Sequence, residues 1–97
     1  MNKRLEERTD PEILDELGRR LAQVRSGVGM NQEEAAARAG LNRTTVSRAE
    51  RGENPTLLTV VRLLRVYGRL ASLDSFIPEP EVSPMALIRK GRVTSHG

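Results

Sequence analysis

"NQEEAAARAGLNRTTVSRAERG", residues 31–52, reads as two short helices broken at a single glycine, and that break decides the fold. Asn31 is an N-cap residue with Glu34 three positions later, the capping-box spacing with Asn in place of Ser or Thr. Ala35, Ala36 and Ala39 then form an inner face of small residues that lets two helices cross closely. Gly40 supplies the positive φ that stops the helix, which is expected over about residues 32–39. Asn42 offers a second N-cap, and a helix follows that Gly52, Asn54 and Pro55 close. Its apolar residues are few. Val46 and Ala49 are expected to point inward, which leaves Arg43, Thr44, Ser47 and Arg48 outward. So thin an apolar stripe does not suit a central packing element, and its outer face meets either water or a polar partner.

Upstream, "TDPEILDELGRRLAQVRSGVG" carries a start signal, with Thr9 or Asp10 as N-cap and Pro11 in the first turn, where its missing N–H costs nothing. Ile13, Leu14, Leu17, Leu21 and Val24 fall on one stripe, predicting a helix over about residues 11–26 that ends at Gly27 and Gly29. The spaced glycines within this stretch carry no meaning as a motif. Downstream, Thr56 caps "LLTVVRLLRVYG", closed by Gly68, with Leu57, Val60, Leu63, Leu64 and Tyr67 as the core stripe. Leu58 and Val61 lie off that stripe, so this helix is apolar on more than one face, which predicts burial against the domain and against a second subunit. "LASLDSF" continues as a short fifth helix. Its Leu70, Leu73, Phe76 and Ile77 complete the expected dimer contact with Leu58 and Val61.

Three prolines in "PEPEVSP" mark a linker. Ser83 and Pro84 then offer a cap and first turn for Met85, Leu87 and Ile88, ahead of a basic end. The expected division is a flexible N-terminus over residues 1–10, one all-α domain over 11–77 and a proline-containing C-terminal tail over 78–97.

Composition supports an all-α class. In a 97-residue chain, 37% of residues are hydrophobic but only 2% aromatic, so the core is built from Leu, Val, Ile and Ala. Cysteine is absent, and the one histidine, His96, is next to the last residue. No nucleophile–base pair, glycine-rich phosphate loop or metal-ligand spacing occurs, so no catalytic, cofactor-binding or metal-ligating residue is expected. No apolar run approaches a membrane span, and the opening residues do not resemble a signal peptide. A cytoplasmic protein is expected. The net charge of +3 is small, but residues 38–52 hold Arg38, Arg43, Arg48 and Arg51 against Glu50 alone, a local +3. A protruding polar helix bearing arginines fits the major groove of DNA, where side chains reach base edges.

These residues resemble a known family. "NQEEAAARAGLNRTTVSRAERGENP" is similar to the helix-turn-helix of the Xre/Cro/C1 repressors over about residues 13–68, with Gln32, Ala36, Gly40, Val46, Glu50, Gly52 and Pro55 in register. The resemblance implies a five-helix lambda-repressor-like domain that binds double-stranded operator DNA as a homodimer. It places Arg43, Thr44, Ser47 and Arg48 at base-reading positions, and Gln32, Thr45 and Arg51 at phosphate-contacting ones. Gln32 would also buttress the reading helix. Arg25 and Glu50 match a partly buried structural ion pair. Two departures stand out: family members usually have Leu at the position of Ala35 and a larger apolar residue at that of Ala49, which implies an underfilled core there.

The end of the chain, "FIPEPEVSPMALIRKGR", is similar to the ends of HipB-like antitoxins, which pair with HipA-like serine/threonine kinase toxins. That likeness implies a kinase partner and autoregulation of the operon. The alternative is a stand-alone phage-type repressor or restriction-modification controller.

Overall fold

One 3-10 turn, Leu5–Glu7, precedes five α-helices: α1 (Asp10–Gly27), α2 (Gln32–Ala39), α3 (Arg43–Glu50), α4 (Leu57–Val66) and α5 (Ser72–Phe76). The computed structural model describes residues 3–81, and there is no strand among them. The expected cap at Ser83 and Pro84, the apolar residues Met85, Leu87 and Ile88, and His96 all lie outside the described residues.

The helices start where the capping chemistry directs. Thr9 caps α1, its hydroxyl accepting the Glu12 N–H at 3.3 Å while Glu12 accepts the Thr9 N–H at 2.9 Å. The Asn31 and Glu34 pair does the same for α2, at 2.8 and 2.9 Å. Asn42 occupies the N-cap position of α3 in an extended conformation, but its side chain makes no capping hydrogen bond. Residues 5–7 form a turn that their charge pattern does not predict. Arg8 beyond it reaches Glu16 on α1 at 3.4 Å, and Arg19 and Arg20 hold that carboxyl down to about 2.

The helix α3 packs on α1, α2 and α4, so despite its thin apolar stripe it is the central packing element, through the fully buried Val46 and Ala49, and α4 also packs on α2. Between them lies a thin core of Leu21, Val46, Leu63 and Tyr67 with the alanines Ala35, Ala36, Ala39 and Ala49. Half of these buried side chains are alanines, so the helices approach closely and the hydrophobic return per residue is small.

The stripe expected on α4 is rotated. Leu63 and Tyr67 are buried as predicted, but Leu57 is 60% exposed and Thr59 takes the inner position. Residues 59, 63 and 67 fall on one line facing α2 and α3, which turns Leu57, Val60 and Leu64 roughly 100° round the helix. Burial of Thr59 is tolerated because its hydroxyl accepts a hydrogen bond from the capping Thr56 at 3.0 Å. The displaced stripe faces an open apolar groove of about 520 Å³ between α1, α4 and α5, lined by Leu17, Leu57, Leu64, Leu73 and Phe76 with Ala49 at its edge. The α1 stripe is therefore only half covered: Leu21 is buried while Leu17 stays exposed. Ala49 is among the residues lining this groove and Ala35 is not, and both alanines are buried.

Two glycines set the approach of α1 to the end of α3. A Cβ on Gly18 would lie 2.5 Å from the Glu50 carbonyl oxygen, and one on Gly52 would lie 2.7 Å from the Leu14 backbone. Nothing in the local sequence around Gly18 marks this contact with the distant Glu50.

Candidate nucleic-acid interface

The helix α3 is held from behind and presented at the front. Gly40, at φ 68°, ends α2 in the left-handed conformation and turns the chain into α3 within three residues. Val46 and Ala49 fix the inner face, at 0% and 1% exposure. Arg43, Thr44 and Arg48 stand exposed on the outer face; Ser47 is half-buried.

Orientation about the helix axis comes from Glu50. Its carboxylate accepts from Arg25 of α1 in a two-pronged pair, Nε at 2.6 Å and Nη2 at 3.0 Å, and from the Gln32 amide of α2 at 2.9 Å. Arg25 also donates to the Met30 carbonyl at 2.8 Å, so both partners of this largely buried pair are well satisfied. The hydrogen bond to Glu50 raises the arginine pKa above its ordinary value. Three helices thus meet at one carboxylate. Behind it the Tyr67 hydroxyl is buried with no hydrogen-bond partner among the described residues, and burial, reinforced by the nearby Glu50 charge, pushes it up to about 12.

The outer surface differs in one respect from the charge count. Glu50 is turned inward and spent on Arg25, whereas Glu53, one residue past the window that gave +3, lies against the arginines. Its carboxylate accepts from Arg51 Nε at 2.7 Å and pairs with Arg48 Nε at 3.6 Å, while Arg51 Nη1 donates to the Ser47 hydroxyl at 2.6 Å. Glu53 is placed there by a helix-ending turn: its N–H donates to the Arg48 carbonyl and that of Gly52 to Ala49, both at 3.0 Å, with Gly52 at φ 73°.

Of the residues expected to face DNA, then, Arg43, Thr44 and Arg48 share one exposed face, and Ser47 and Arg51 adjoin it through a mutual hydrogen bond. Thr45 is half-buried beside them, and Gln32 is half-buried with its amide donating to Glu50. Among the residues expected in a dimer contact, Leu73 and Phe76 line the apolar groove, whereas Leu58, Val61, Leu70 and Ile77 do not. Leu58, Phe76 and Ile77 are exposed.

A family model for the helix-turn-helix domain matches residues 16–73. The chain belongs to the helix-turn-helix family. Over 65 residues this helix-turn-helix chain is 38% identical to the HTH-type transcriptional regulator PuuR of Escherichia coli strain K12, and equally to PuuR of Shigella flexneri. The match takes in 66% of this chain and 34% of each relative, so the chain spans about a third of the length of the curated relatives it matches. No solved structure matches it. The all-α, five-helix, lambda-repressor-like architecture anticipated from residues 31–55 is the one observed. A helix-turn-helix is a DNA-binding motif of two helices joined by a tight turn, and the matched residues include α2, the Gly40 turn and α3. No helix among the described residues is long and apolar enough to cross a membrane.

Proposed function

We propose that this chain is a sequence-specific transcriptional regulator of the cytoplasm that represses from a palindromic operator as a homodimer, with α3 as its reading helix. The observation that carries the reading is the asymmetry of α3: its inner side is locked by Val46, Ala49 and the Arg25–Glu50–Gln32 cluster, while Arg43, Thr44 and Arg48 face outward together. Arginine bonds guanine O6 and N7 with two parallel hydrogen bonds, and threonine meets a base edge or a thymine methyl. Thr45 and Arg51, at the margins of the same face, and the second amide hydrogen of Gln32 serve phosphates. The likeness to PuuR supports a role in regulating transcription.

A second copy is the partner proposed for the exposed apolar residues of α4 and α5. A core that is half alanine leaves little stability to a lone domain, and two copies set reading helices about 34 Å apart, one turn of DNA. Sedimentation at micromolar concentration is expected to show a dimer, and a Phe76→Glu variant a monomer. A wild-type monomer at that concentration contradicts this part of the reading.

Arg43→Ala and Arg48→Ala are each expected to weaken operator binding by about 1–3 kcal/mol and to relax preference at one base pair. Arg51→Ala is expected to weaken all duplexes alike, lowering the salt slope by at most about one. Equal losses on operator and random DNA for the first two variants would remove them from base reading.

The antitoxin reading, with a HipA-like kinase as partner, rests on residues 76–92, most of which lie outside the described residues. Co-purification of such a kinase with the full chain, and its loss from a chain ending before Pro78, supports it. If no kinase binds, the stand-alone phage-type repressor or restriction-modification controller remains.

A further inference from the structure

We infer that Glu53 is an intramolecular stand-in for DNA phosphate, which occupies Arg48 and Arg51 in the unbound protein and thereby suppresses binding to non-cognate sequence. The inference rests on the DNA-reading role of α3 proposed above.

The geometry divides one carboxylate between two arginines: Oε2 faces Arg51 Nε at 2.7 Å and Oε1 faces Arg48 Nε at 3.6 Å. Glu53 is set at the end of α3 by the Gly52 turn, through its own N–H bond to the Arg48 carbonyl. Arg51 in turn holds Ser47 through Nη1, so one acid organises three residues of the proposed interface. The hydrogen bond between them, with their opposite charges as the lesser cause, lowers the Glu53 pKa and raises that of Arg51. Arg43, at the other end of the same face, forms no ion pair among the described residues.

The consequence follows from what drives each mode of binding. Association with arbitrary sequence is almost wholly electrostatic, and each arginine that neutralises a phosphate contributes through release of a counterion. An arginine already neutralised by Glu53 gains little on meeting a phosphate, because one anion replaces another. A base edge offers directed hydrogen bonds that a carboxylate exchange does not cancel, so the cognate complex is penalised less. Exposed pairs of this kind are weak, worth about 0–1 kcal/mol, which sets the effect at up to about fivefold. That is small for affinity yet directly subtractive from a non-cognate background.

Glu53→Gln keeps the shape and removes the charge. Binding of a random-sequence duplex of about three helical turns is measured against salt for the wild-type chain, for Glu53→Gln and for Asp74→Asn, which makes the same change of net charge on exposed α5. Glu53→Gln is expected to bind random duplex about two- to fivefold more tightly than Asp74→Asn, to steepen the salt slope by up to about 0.9, and to narrow the ratio between random duplex and a duplex selected from a random pool. The gain common to both duplexes is expected to vanish in an Arg51→Ala background, and the narrowing of the ratio in an Arg48→Ala background. If Glu53→Gln and Asp74→Asn behave alike, or the gain survives loss of Arg51, the inference is overturned while DNA reading by α3 stands. A wild-type chain that binds neither duplex overturns both.

Discussion

Gly52→Ala is expected to lower unfolding free energy by about 2–5 kcal/mol, the sum of about 1–3 for forcing a methyl into filled space and about 1–2 for left-handed backbone. The space is filled by main chain: the new Cβ would meet the Leu14 carbonyl at 2.7 Å and the Asp15 nitrogen at 2.8 Å, neither of which can swing aside as a side chain does. Gly40→Ala is the control. Its φ of 68° matches the 73° of Gly52, yet its nearest neighbour would be the Arg62 guanidinium at 3.9 Å, an ordinary contact. Only the conformational part, about 1–2 kcal/mol, is expected there. Thermal melts separate the two, because each kcal/mol moves the midpoint of a domain this size by about 4–8 °C. Equal losses at the two glycines would show that α1 does not press on the turn after α3.

Glu50→Ala carries the second large effect, a loss of about 3–5 kcal/mol, because it strands the Arg25 guanidinium in a largely buried setting with only the Met30 carbonyl to accept from it. Arg25→Ala is expected to behave similarly, leaving the carboxylate with the Gln32 amide alone. Replacing both charges by apolar residues of similar size, Arg25→Met with Glu50→Leu, is expected to restore much of the loss, since a buried pair is costlier to break than to remove. Urea titrations of the two apolar single variants and their double therefore predict a coupling of about 1–3 kcal/mol. Additive losses would mean that the two side chains stabilise the fold independently and that Glu50 does not tie α1 to α3.

Much of this arrangement is legible locally. Capping boxes at Thr9–Glu12 and Asn31–Glu34 mark helix starts because donor and acceptor lie within four residues of each other, and Gly40 and Gly52 mark stops because few other residues adopt positive φ. The inward pair Val46 and Ala49 follows from helical spacing within eight residues. Long-range facts are less visible. Gly18 looks like any helical glycine until the Glu50 carbonyl is placed beside it. Thr59 displaces Leu57 from the core because the rotation of α4 is set by its neighbours and because Thr56 satisfies the buried hydroxyl. Glu53 escaped the charge count because a window along the chain does not register the turn that folds the next residue back over the arginines. Asn42 shows the limit at the other end of the scale: it occupies the N-cap position that its residue type predicts, but its side chain does not make the expected bond.

The central claim is that the outer face of α3 discriminates between bases. Its most direct measure is the ratio of Kd values for random duplex and for a duplex recovered by selection from a random pool, taken at one physiological salt concentration. A ratio of about 10³ or more is predicted for the wild-type chain, collapsing towards unity when Arg43 and Arg48 are both replaced by alanine in a protein that still melts cooperatively. A wild-type chain that holds both duplexes equally would contradict the account.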